Sequence, residues 1–75
     1  MALDWRERIT VDPAMHHGQP TIRGMRISVQ DVLDYLGSGM SIDEVLSDFP
    51  DLTPEDIQAS IAYAAEQMRN RTATA

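Results

Sequence analysis

A chain of 75 residues makes one domain with a small core, near the size at which a partner chain often completes the apolar burial, so self-association is expected. There is no cysteine, which excludes a disulfide framework, a thiolate zinc site and a cysteine nucleophile. The charged start Met1-Ala2-Leu3-Asp4-Trp5-Arg6-Glu7-Arg8 lacks an apolar signal region, and no stretch approaches a membrane span, so a cytoplasmic protein without a membrane partner is expected.

The net charge of −6 is unevenly placed. Residues 1–27 set Arg6, Arg8, Arg23 and Arg26 against Asp4, Glu7 and Asp12, whereas residues 28–75 set Arg69 and Arg71 against nine acids. An acidic helical body repels phosphate and favours a basic protein partner, while the N-terminal part stays compatible with weak anion contacts. Lysine is absent, so every cation is a guanidinium suited to bidentate pairing.

In chain order, residues 1–8 read as a flexible arm. Ile9-Thr10-Val11-Asp12 alternates and is β-branched until Pro13 stops it, which predicts a short strand. A loop carrying His16-His17-Gly18 leads to Pro20-Thr21-Ile22, a second brief strand whose proline marks an edge or a beginning. Arg23-Gly24-Met25-Arg26 is a turn, so residues 9–27 form a ribbon of two or three short strands that needs the helices or a second copy to pack on.

Residues 28–71 predict three helices, because one start signal is written three times. An apolar residue, a Ser or Thr, and an acid three positions later recur in Ile27-Ser28-Val29-Gln30-Asp31-Val32, Met40-Ser41-Ile42-Asp43-Glu44-Val45 and Leu52-Thr53-Pro54-Glu55-Asp56-Ile57. In each, the hydroxyl can accept from an orphan N–H, the acid can reach back, and the apolar pair can close as a staple. Pro54 adds a favourable first-turn proline. The first helix places Val29, Val32, Leu33 and Leu36 on one stripe and ends at Gly37-Ser38-Gly39. The second repeats the spacing with Ile42, Val45, Leu46 and Phe49 until Pro50. The third, from Pro54 to about Asn70, has Ile57, Ile61, Ala64, Ala65 and Met68 as its inner face. On its outer face Ala59, Ala62 and Tyr63 form a second stripe, readable either as a partner surface or as good helix propensity. The tail, residues 72–75, reads as disordered. The expected architecture is thus mostly α: a trihelical, helix-turn-helix-like bundle behind a short N-terminal β ribbon.

Chemistry-bearing candidates are few. His16 and His17 beside Asp12 could suggest a metal or acid–base cluster, but adjacent histidines rarely ligate one metal and no third ligand follows at suitable spacing. No catalytic, cofactor or metal residue is therefore assigned, and no enzyme is expected. Gly24 is explained by a turn that requires positive φ. The arginines bracketing it could touch phosphate or pair with the chain's own acids, Asp12, Asp31 or Asp34 being the candidates. As a reading helix, the third would present Glu55 and Asp56 to the DNA backbone, which opposes binding.

The ordered runs Ile9-Thr-Val-Asp-Pro13, His17-Gly18-Gln19-Pro20-Thr-Ile22-Arg23-Gly24-Met25-Arg26-Ile27, Gly39-Met40-Ser41-Ile-Asp-Glu44-Val-Leu46 and Phe49-Pro50-Asp-Leu52-Thr53-Pro54-Glu55-Asp56-Ile57 resemble the bacterial family called domain of unknown function 433, over roughly residues 9–65. The chain departs from the pattern where His16 stands for a frequent Cys, Gln19 for Lys, Met25 for Thr and Ser28 for Pro. The missing Lys lowers the expectation of nucleic-acid binding in that loop. The resemblance implies a homeodomain-like fold and an antitoxin of a type II toxin–antitoxin system, set beside a PIN-like ribonuclease toxin. On that basis the toxin surface is expected at Ala59, Ala62, Tyr63, Met68, Arg69 and Arg71, the arginines closing the third helix and suited to entering a metal-binding carboxylate cluster. A homodimer through the β region is expected, as is weak operator binding through Arg6, Arg8, Arg23 and Arg26. The alternative is a small DNA-binding regulator without a toxin.

Overall fold

The computed structural model describes residues 4–14 and 18–73, with side chains through Asn70. A short 3-10 turn, Trp5–Glu7, is followed by strand β1 (Ile9–Thr10), strand β2 (Thr21–Ile22) and helices α1 (Val29–Gly37), α2 (Ile42–Asp48) and α3 (Pro54–Ala73). The trihelical domain with its N-terminal ribbon is the architecture expected. Residues 4–8, expected as part of an arm, lie instead along α3, and α3 runs to Ala73, into the expected tail. The loop histidines, His16 and His17, lie outside the described residues.

All three written start signals are capping boxes. Ser28 Oγ accepts from Asp31 N at 3.0 Å while Asp31 Oδ2 accepts from Ser28 N at 3.1 Å. Ser41 and Glu44 exchange the same pair at 3.1 and 2.8 Å, and Thr53 and Asp56 at 3.3 and 2.9 Å. Each reciprocal pair satisfies two backbone donors that the first turn leaves orphaned. Of the flanking apolar residues, Val32, Val45, Leu52 and Ile57 belong to the core, and half-buried Ile27 and Met40 pack against it. α1 closes with Gly39 at φ +107, where the Gly39 and Met40 N–H groups donate back to Leu36 and Tyr35.

The ribbon is antiparallel, with Ile9 opposite Ile22 and Thr10 opposite Thr21, and Thr21 also bridges Ser28. Ile9 and Ile22 carry it into a core completed by Val29, Val32, Val45, Leu52, Ile57 and Ala59. Leu33, Leu36, Leu46 and Phe49 pack against that core from the expected stripes, and Tyr35 stacks on Phe49 at 5.1 Å between centroids. Ile42 departs from its stripe: at the first position of a seven-residue helix it is 44% exposed.

α3 departs further. Of its expected inner face only Ile57 is buried, while Ile61 and Met68 are 44% and 62% exposed. The face turned inward carries Asp56, Ile57, Ala59 and Ser60, all buried, and continues to half-buried Tyr63. Relative to the apolar stripe the helix is rotated by about one residue, roughly 100°. The cause is electrostatic, because the two arginines that hold Asp56 draw that side of the helix into the protein.

Candidate functional site

Asp56 is the centre of the polar architecture. Its side chain is fully buried, yet every lone-pair direction is used. Oδ1 accepts from Arg8 Nη1 at 3.1 Å and from Arg23 Nε at 3.2 Å, and Oδ2 accepts from Arg23 Nη2 at 2.9 Å and Thr53 N at 2.9 Å. Arg23 Nη2 also reaches Asp51 O at 2.7 Å, and Arg8 Nη1 reaches Thr53 Oγ1 at 3.4 Å. Burial alone would push the Asp56 carboxyl up, but the Arg23, Thr53 and Arg8 hydrogen bonds, with the Arg23 charge, hold it below the ordinary carboxylate range. The group is therefore an anion at neutral pH, clamping two segments of the front third onto the start of α3.

Local backbone geometry aims Arg23. Arg23 and Gly24 have φ +49 and +72, and Met25 N donates to Ile22 O at 2.8 Å, the signature of a type I′ turn. Gly24 takes the second left-handed position without cost, as its place in the sequence predicts, whereas Arg23 adopts the first despite its Cβ. Arg23 N donates to Arg8 O at 2.8 Å, which sets the two guanidiniums side by side.

A second clamp lies farther along the same face of α3. The Trp5 indole N–H donates to Glu66, the Trp5 ring meets Tyr63 edge-on at 4.7 Å, and Arg6 covers Trp5 at 4.6 Å while pairing with Glu66 at 3.3 Å. Asp56, Tyr63 and Glu66 thus line the side of α3 along which residues 5–8 run.

These contacts redistribute the expected site residues. Arg8 and Arg23 are brought together on Asp56, not on Asp12, Asp31 or Asp34. Those three acids serve the Ala14 N–H, the Ser28 cap and Gln30. Arg6 pairs with Asp4 and Glu66, and Arg26 is exposed with no ion pair among the described residues. The expected Ala59, Ala62, Tyr63 surface is corrected: Ala59 is wholly buried, Ala62 is half-buried, and half-buried Tyr63 lies under Trp5. Met68 and Arg69 are exposed, and the side chain of Arg71 lies outside the described residues. The centre that sequence reasoning missed, Asp56, was visible there only as a cap acid.

Beside the exposed part of α3, a groove of about 340 Å³ opens between α3 and α1, lined by Leu33, Ala64 and Met68 among others. Among the described residues no group of three or more His, Cys, Asp or Glu is placed to hold a metal ion. Among the described residues no helix is long and apolar enough to cross a membrane.

Residues 9–64 match the family model described as "Protein of unknown function (DUF433)". The chain belongs to the DUF433 family. The matched residues include the ribbon, all three capping boxes, Arg23 and Asp56, but begin just after Arg8 and stop before the exposed end of α3. A relative, the uncharacterized protein y4eO of Sinorhizobium fredii (strain NBRC 101917 / NGR234), is 36% identical over 67 residues, covering 88% of this chain but 30% of that protein. The chain therefore spans about a third of the length of the curated relative it matches. No solved structure matches significantly.

Proposed function

We propose that this DUF433 chain is an antitoxin that binds and inhibits a PIN-like ribonuclease. One observation carries the reading: Arg6, Arg8 and Arg23, three of the four front-end cations that could serve nucleic acid, are engaged by the chain's own carboxylates. What remains outward is a surface of net negative character and the exposed end of α3, which suits a protein partner better than a phosphate backbone. The family resemblance supplies the kind of partner. Arg69, exposed on α3 and without an ion pair among the described residues, is the guanidinium best placed to enter the carboxylate cluster of such a nuclease, with Arg71 beyond it. Arg26, also without an ion pair among the described residues, is what remains for operator contact, which the assembled pair would make better than this chain alone.

The test is co-expression with the product of the neighbouring reading frame, capture of this chain, and an RNA-cleavage assay on the captured complex and on the partner alone. Co-purification with suppression of cleavage supports the reading. A partner that cleaves equally well with the chain bound, or no partner retained, overturns it.

A further inference from the structure

We propose that two copies of this chain pair through the surface formed by the second half of α3 and the adjoining side of α1, and not through the β ribbon. The proposal does not depend on the ribonuclease reading. Ile57, Ile61, Ala64 and Met68 follow one another at i, i+4, i+7 and i+11, the spacing of a two-helix seam. Ile57 is 1% exposed inside the chain's own core, whereas Ile61 and Met68 are 44% and 62% exposed. The seam thus begins in the core and runs out onto the surface. Next to it lies the groove between α1 and α3, so each chain offers both a ridge and a recess, as a twofold interface requires.

Charge decides the occupant. The chain carries −6, and Asp43, Glu44, Asp48, Asp51 and Glu55 are all exposed on or beside α2 and the start of α3. The groove is edged by Gln19, Gln30 and Gln67, all uncharged, and the nearby Glu66 is turned away to Trp5 and Arg6. A second copy meets a cluster of exposed acids around α2, whereas beside this groove the exposed acid is Asp34, whose carboxylate accepts from Gln30 of the rim at 2.9 Å. Nucleic acid finds no cation among the groove's lining, and a basic partner is drawn instead to the acids elsewhere. The ribbon is a poor alternative, because its strands have two residues each, Thr21 is already bridged to Ser28, and the Arg23 N–H is already given to Arg8.

The experiment is light scattering and sedimentation on the full chain over micromolar concentrations, with circular dichroism on the same samples. Wild type is expected as a dimer. Ile61→Glu with Met68→Glu should weaken association by at least about tenfold with helical content unchanged, since both positions are exposed. Val11→Glu, beside the ribbon and 52% exposed, should leave association intact. Should the double variant lose helix, Gln67→Glu is the second probe: its charge on the groove edge should weaken pairing at low salt and be relieved at high salt. A monomeric wild type overturns the proposal. So does a folded double variant that stays dimeric, a Gln67→Glu chain that pairs like wild type, or loss of the dimer in Val11→Glu.

Discussion

Arg23 holds both oxygens of Asp56, through Nε at 3.2 Å and Nη2 at 2.9 Å, from a backbone at φ +49. A left-handed residue with a Cβ costs about 1–2 kcal/mol, and Asn or Gly would occupy the same turn position more cheaply. The cost is offset because this φ aims the guanidinium at a carboxylate that has no exposure of its own. One relationship therefore links the turn of the ribbon, the cap of α3 and the rotation of that helix.

The two sides of this pair are unequal, and stability measurements should show it. Arg8 and Arg23 side chains are 30% and 40% exposed and can rehydrate if Asp56 becomes neutral, whereas Asp56, with no exposure of its own, loses both of its ion-pair partners if they are removed. Asp56→Asn is expected to cost about 1–2 kcal/mol, chiefly lost charge-assisted hydrogen bonds. Arg8→Ala with Arg23→Ala is expected to cost about 3–5 kcal/mol, because it strands a buried carboxylate. Urea unfolding of the two proteins at neutral pH gives the order. Asp56→Asn being the more damaging would show that capping, and not ion pairing, dominates the site.

The same carboxylate sets an acid limit. Asp56 and Glu44 both titrate below their ordinary values in the folded chain, Asp56 because its hydrogen bonds outweigh burial and Glu44 through its bonds with Ser41. A lowered folded pKa contributes stability that is complete above the unfolded value, about 4, and is lost as pH falls through the folded one. Thermal unfolding should therefore be nearly level from about pH 7 to 5 and fall below about pH 4. Asp56→Asn should flatten that fall. An equally steep acid limb in the variant would place the titrating group elsewhere.

The three helices were legible because Ser28, Ser41 and Thr53 each stand three residues before an acid, a local signal that depends on nothing distant. The turn at Gly24 was legible for the same reason. The inward face of α3 was not, since apolar periodicity counts Asp56 and Ser60 as outward residues. Only the long-range arrival of Arg8 and Arg23 makes an aspartate an interior side chain, and Ser60 follows it by donating to Asp56 O at 2.9 Å. Trp5 was hidden likewise: its docking depends on Tyr63 and Glu66, some sixty positions away in the chain.

Trp5 is the chain's one tryptophan, so its fluorescence reports the second clamp alone. Glu66→Ala removes the acceptor of the indole N–H and the Arg6 ion-pair partner. It should shift emission to the red and lower stability by about 0.5–1.5 kcal/mol, the scale of one hydrogen bond with a partly exposed ion pair. Unchanged emission would mean that the edge-on contact with Tyr63 suffices to hold residues 5–8.

Nucleic-acid affinity follows from the fate of the arginines. Binding of the isolated chain to duplex DNA is expected to be weak and steeply salt-dependent, and Arg26→Ala should remove most of what remains at low salt. Fluorescence anisotropy at two salt concentrations measures both. Tight binding at physiological salt that survives Arg26→Ala would mean that Arg8 and Arg23 leave Asp56 to meet phosphate.

The antitoxin reading makes its sharpest prediction at the end of α3. Tyr63→Asp is not a clean probe of a partner surface, because Tyr63 packs under Trp5 and its loss would unfold the second clamp. Arg69→Ala with Arg71→Ala avoids that difficulty, since cations near a helix C-terminus contribute only about 0.3–1 kcal/mol each to stability. If these guanidiniums enter the nuclease's carboxylates, the double variant should lose inhibition by far more than its melting temperature changes, and Arg69→Lys should restore inhibition only in part because an ammonium cannot pair bidentately. Nuclease inhibition and thermal unfolding are to be measured on the same preparations. Intact inhibition in the double variant would move the contact away from α3, to the turn around Arg26.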